Sequence, residues 1–66
     1  MHIVLNGDVV ETADDSTIES LLKHLGISRE RVAVELNADI VPKAGYEKQR
    51  LSNGDKIEIV HFVGGG

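Results

Sequence analysis

Few side chains in this 66-residue sequence could do chemistry on their own. His2, His24 and His61 are potential metal ligands. They fall on three separate stretches, show no ligand spacing and have no cysteine to join them. They read as ordinary exposed or strand-face histidines, and no metal is expected. Asp14 and Asp15 form a carboxylate pair of the kind used in acid–base work. Lying just ahead of a helix-spaced apolar run, they are better explained as charges favoured by the positive end of a helix dipole. Ser16, Ser20, Ser28 and Ser52 stand in no triad context. The final "GGG" makes no phosphate loop, because it follows the last strand, opens no helix and precedes no Lys-Ser/Thr pair. With no nucleophile–base pair and no metal cluster in view, the chain is not expected to be an enzyme.

The remaining chemical group is the one carried by "HFVGGG", residues 61–66. Glycine has no Cβ, so its backbone enters channels too narrow for other residues and accepts whatever φ and ψ an active site imposes. An α-carboxylate is ionised near neutral pH and is a poor electrophile. It becomes reactive once another enzyme joins it to AMP, which is then a good leaving group. Such a tail is a substrate held out on a handle: the fold supplies recognition and the glycines supply access.

The handle is legible in the patterning. "MHIVLNG" alternates, with Met1, Ile3 and Leu5 on one face, and "NGD" at 6–8 is a strong two-residue hairpin signal, so residues 1–12 read as a β-hairpin. In "DDSTIESLLKHLGI", Ser16 and Glu19 have the spacing of a capping box. Ile18, Leu21, Leu22 and Leu25 make one apolar stripe, and Gly26 supplies the left-handed stop, which predicts a helix over 17–25. "SRERVA" reads as a charged loop leading into a strand with Val32, Val34 and Leu36 on one face. "ADIVP" predicts a short further strand ending at Pro42, and "KAGYEKQR" a loop with one helical turn. After a second Asn-Gly-Asp turn at 53–55, the last strand sets Ile57 and Ile59 on one face and Glu58, Val60 and Phe62 on the other. One helix with one stripe covers one face of one sheet. The crossover through the helix favours some parallel pairing.

Composition bounds the rest. At this length there is one domain with a thin core, and without cysteine it folds on packing alone. Tyr46 and Phe62 are the only aromatic residues, so an aliphatic core is expected. The net charge of −4 argues against nucleic acid, despite Lys43, Lys48, Arg50 and Lys56 in the second half. No apolar run approaches a membrane span, and "MHIVLN" lacks the basic start of a signal peptide. The cytoplasm is the expected location. If Ile57 and Ile59 face the helix, Val60 and Phe62 form an exposed apolar pair that suits a partner surface. The competing reading folds Phe62 back over a sheet edge.

Taken together, the element order, the "IVP" and "NGD" segments, "MHIVLNG" and "IEIVHFVGGG" resemble ubiquitin-like β-grasp proteins, and more narrowly the ThiS family of sulfur carriers in thiamine biosynthesis. The resemblance covers the whole chain. It implies an α+β fold in which a mixed four- to five-stranded sheet wraps over one helix. A β-grasp domain over 1–63 would carry a flexible glycine tail over 64–66.

The resemblance also implies a function. An ATP-dependent activating enzyme, related to ubiquitin-activating enzymes, adenylates the terminal carboxylate, here that of Gly66. Sulfur drawn from cysteine through a desulfurase replaces AMP and leaves a thiocarboxylate. This delivers sulfur to thiazole synthase. Gly65 and Gly66 match the reactive end, Gly64 the extra glycine of some members, and Val60, Phe62 and Val63 the apolar approach. No bound cofactor is implied, ATP being used by the activating enzyme, and the carrier alone is expected to be a monomer. Two alternatives share the tail: the small subunit of molybdopterin synthase, and a ubiquitin-like modifier ending in an isopeptide bond. A third is a small β-grasp binding module with inert glycines.

Overall fold

The hairpin turn at Asn6–Gly7 shows how local chemistry sets the first pairing. In the computed structural model, which describes residues 1–62, Asn6 and Gly7 have φ of 47° and 87°. Positive φ at both central residues is the turn whose twist matches two antiparallel strands, and Asn and Gly are the residues that tolerate it. It joins β1 (His2–Leu5) to β2 (Asp8–Glu11), with His2 opposite Glu11 and Leu5 opposite Asp8.

Helix α1 (Ile18–Leu25) follows, with β3 (Val32–Leu36), β4 (Asp39–Val41) and β5 (Lys56–His61) after it. Short 3₁₀ turns lie at Arg29–Arg31 and Lys43–Gly45. The five strands form one sheet in the order β2-β1-β5-β3-β4. β5 pairs parallel with β1 and antiparallel with β3, so the last strand is the central one. The expected mixed sheet is observed, with five strands.

The helix begins one residue later than the spacing predicted. Thr17 is the N-cap: its Oγ1 accepts from the Ser20 N–H at 3.1 Å, and Ser20 Oγ accepts from the Thr17 N–H at 2.8 Å. This is a capping box of Thr17 and Ser20 rather than Ser16 and Glu19. Ser16 is buried and spends its hydroxyl proton on Ala13 O at 2.7 Å. Its contact with Thr12 Oγ1, also 2.7 Å, therefore has Thr12 as donor. Asp14 is drawn to the Met1 ammonium at 2.9 Å; that hydrogen bond, then the charge, hold its carboxyl below the ordinary 3.8. At the far end Gly26 takes φ 72°, and the Ile27 N–H returns to Leu22 O at 2.9 Å, the double closure that left-handed glycine allows.

Ile18, Leu21 and Leu22 from the helix meet Ile3, Val32, Val34, Ile57 and Ile59 from the sheet. Leu25, the fourth residue of the predicted stripe, is 40% exposed at the helix end. The core is not purely aliphatic. Tyr46 is 1% exposed and is the largest fully buried side chain. Among the described residues no helix is long and apolar enough to cross a membrane.

Candidate functional site

The site is the end of β5. Along this strand Ile57 and Ile59 are buried, whereas Val60 and Phe62 are each 56% exposed. The period of two puts Val60 on the sheet face opposite the helix. There it stands across from Ala33, while Ile40 is paired with Glu35 two residues further along β3. Ile40 is also exposed, so both β5 and β4 present an aliphatic side chain to solvent on this part of the sheet. Phe62 lies toward the sheet edge formed by β4 and remains more than half exposed. It borders an apolar cleft of about 210 Å³ with Ala33, Ile40, Pro42 and Lys43.

The strand is secured on both sides as it approaches this point. β1 ends at Leu5, but the Asn6 side chain continues the pairing. Its Oδ1 accepts from the Ile59 N–H at 2.8 Å, and its Nδ2 donates to Ile59 O at 3.2 Å. On the other side the Phe62 N–H donates to Arg31 O at 2.9 Å, one step beyond the last paired strand residue.

Beneath Phe62, where the sequence predicts a solvated loop, lies a charged network. Arg29 bonds Glu19 on α1 at 3.0 Å, lies 3.6 Å from Glu47 and donates from Nη2 to the Lys43 carbonyl. Its guanidinium sits 5.4 Å from the centroid of the Tyr46 ring. Burial raises the Tyr46 phenol above its ordinary 10.0, a rise that the Arg29 charge partly opposes. Lys43 Nζ is 3.7 Å from Glu30 Oε2 and 5.3 Å from the centroid of the Phe62 ring. Arg29, Lys43 and Tyr46 had no periodic signal to reveal them. Their partners are distant in sequence, and only Pro42 marked the neighbourhood.

Of the predicted site residues, Val60 and Phe62 are brought together on the exposed side of the strand end. Val63, Gly64, Gly65 and Gly66 lie outside the described residues. His2 lies 3.8 Å from Glu11 across the hairpin. Among the described residues no group of His, Cys, Asp or Glu is arranged to hold a metal ion.

The family model described as the ThiS family matches residues 3–66. The chain belongs to the ThiS family. Sulfur carrier protein ThiS of Bacillus subtilis (strain 168) is 46% identical over 63 residues, a match covering 94% of this chain and 96% of that protein. The crystal structure of the thiamine biosynthesis protein ThiS from Geobacter metallireducens superimposes with a TM-score of 0.86 at 29% identity, over 100% of both chains. The β-grasp fold expected from the resemblance is therefore the fold observed. A thiazole synthase of Paramagnetospirillum magneticum (strain ATCC 700264 / AMB-1) is 46% identical over 66 residues. That match takes in 100% of this ThiS-family chain but only 20% of the thiazole synthase, so the chain spans a fifth of that relative's length.

Proposed function

We propose that this chain is the sulfur carrier for assembly of the thiazole moiety of thiamine. The observation that carries the reading is the family match through residue 66, coupled to an exposed Val60–Phe62 pair at the end of the central strand. In this reading an oxygen of the Gly66 carboxylate attacks the α-phosphorus of ATP held by an activating enzyme, and pyrophosphate leaves. A sulfur nucleophile supplied from cysteine by a desulfurase attacks the resulting acyl carbon. AMP departs with its bonding electron pair. Where the attacking sulfur is the terminal atom of a cysteine persulfide, the product is an acyl disulfide. A second partner thiolate then cleaves its S–S bond, forming a disulfide and releasing the thiocarboxylate that donates sulfur to thiazole synthase.

The chain's own contribution is binding and presentation. Val60, Phe62 and Val63 form the apolar approach that partners grip. Gly64, Gly65 and Gly66 bring the carboxylate into active sites that side chains would block. The carrier binds no cofactor of its own and leaves catalysis to its partners. Thiazole synthase as acceptor is supported by the relative of that name in which the matching segment is one fifth of the polypeptide. Joining a carrier to its acceptor raises the effective concentration of the transfer without new contacts.

The test is the intact mass of the protein after incubation with ATP, the activating enzyme and a sulfur donor. A gain of about 16 Da, one oxygen replaced by sulfur, is expected. It should vanish when Gly65 and Gly66 are deleted while the fold persists. A conjugate to a target lysine would instead indicate a protein modifier. An unchanged mass, or a deletion variant that still supports thiazole formation, would overturn the carrier reading.

A further inference from the structure

We infer that Lys43 is a positioning residue for adenylation: it fixes Phe62, and through it the root of the reactive terminus. This inference rests on the carrier reading above. Phe62 directly follows β5, and a backbone bond to Arg31 O holds it. Its ring is 56% exposed and meets the solvent side of the cleft, so sheet packing alone leaves it room to turn.

The contact that restricts the ring is the ammonium of Lys43, 5.3 Å from the ring centroid. An ammonium over an aromatic face is attracted by the ring's negative π cloud. Lysine is ordinarily a poor fixed point, because its four-carbon stem is free to swing. Here the stem is tied at both ends. The Lys43 carbonyl accepts from Arg29, and Nζ is drawn to both the carboxylate and the carbonyl of Glu30, at 3.7 and 3.4 Å. Arg29 is in turn locked to α1 by Glu19 and stacked on the buried Tyr46. A chain of contacts thus runs from the helix and core to the ring that precedes the terminal segment. Each of its links is polar or cationic, and Lys43 itself lies outside the hydrophobic core. The partner that grips Phe62 therefore meets the ring already oriented, and the ordering cost falls before binding rather than during it.

The experiment measures ATP–pyrophosphate exchange by the activating enzyme as a function of carrier concentration, for the wild-type chain, Lys43→Met, Lys43→Arg, Phe62→Leu and the Lys43→Met/Phe62→Leu pair. Circular dichroism melts confirm that each variant is folded. Lys43→Met should raise KM by about two- to five-fold, the range an exposed cation–π contact supports, with kcat unchanged. Lys43→Arg retains a cation over the ring and should restore most of the loss. In the Phe62→Leu background Lys43→Met should have little further effect, because the two residues act as one unit. Additive losses would mean that Lys43 touches the partner directly, and would overturn the inference.

Proton NMR reads the contact without any enzyme. The Lys43 ε-methylene resonances should lie upfield in the wild-type chain and return to ordinary positions in Phe62→Leu. Unshifted resonances would overturn the contact itself. No exchange with the wild-type chain would overturn the carrier reading and this role together. Exchange with an unchanged KM in Lys43→Met would overturn the role alone.

Discussion

The side chain of Asn6 stands in for a missing strand residue beside Ile59, accepting from its N–H at 2.8 Å and donating to its carbonyl at 3.2 Å. One residue thereby does two jobs: its backbone makes the left-handed first step of the β1–β2 turn, and its amide extends the β1–β5 pairing toward the functional end of the central strand. The two jobs separate by substitution. Asn6→Gly keeps the turn and removes the clamp, leaving two part-buried backbone groups of Ile59 without their partner. The expected loss is about 1–3 kcal/mol in urea unfolding, with faster hydrogen exchange at the Ile59 amide. Asn6→Ala should lose more, because alanine also resists positive φ. Equal stability of Asn6→Gly and wild type would show that water replaces the clamp without cost.

A second turn, between β3 and β4, breaks the local rule that the first one obeys. Asn37 and Ala38 occupy φ of 50° and 74°. Alanine in the left-handed region costs about 1–2 kcal/mol through its Cβ. Glycine removes that cost but gains unfolded-state freedom worth about 0.4–1 kcal/mol. Ala38→Gly should therefore stabilise the protein by about 0.5–1 kcal/mol, or several degrees in Tm for a domain this small. A lower Tm would place the strain elsewhere.

Tyr46 makes the stability of this fold sensitive to alkali. Burial raises its phenol above 10.0 in the folded chain, against the smaller opposing influence of Arg29. Above about pH 10 the unfolded chain releases the tyrosine proton while the folded chain still holds it. More protons are then bound to the folded state, so stability present below pH 10 falls as pH rises toward the folded phenol's own ionisation. Tyr46 is the only tyrosine and there is no tryptophan, so the phenolate ultraviolet band reports on it alone. The band should emerge above pH 10 and together with unfolding. Tyr46→Phe should flatten this part of the pH–stability curve relative to wild type. A phenolate signal appearing at pH 10 in a still-folded protein would contradict the burial argument.

These residues also mark where the sequence was legible. Asn6-Gly7, Gly26 and the alternation of β5 each obey a local rule, so the first hairpin, the helix stop and the exposed Val60–Phe62 pair could be read before any coordinates. The helix cap lies one residue beyond the one the spacing predicts because Ser16 and Thr17 are both competent caps; Thr12 and Ala13 occupy Ser16 and decide the choice. Tyr46 lies in a stretch without period, and its burial is decided by the helix and β3 closing over it. The sequence predicts a solvated Arg29 because nothing local says that Glu19, ten residues earlier, meets it. Long-range electrostatics has no sequence period, whereas packing faces do.

The exposed pair at the end of β5 separates binding from folding. Val60 and Phe62 are more than half exposed, while Ile57 on the other face of the same strand is fully buried. Ile57→Ala should cost about 2–5 kcal/mol of stability, since it leaves a cavity beneath the helix. Phe62→Ala should cost about 1 kcal/mol or less, the loss of a single exposed cation–π contact with Lys43. In the carrier reading the same substitution removes an aromatic anchor from the partner interface and should weaken binding to the activating enzyme by about tenfold. Calorimetric titration beside thermal melts checks both halves. A Phe62→Ala protein that melts many degrees lower yet binds as wild type would make Phe62 a structural residue and remove it from the docking surface.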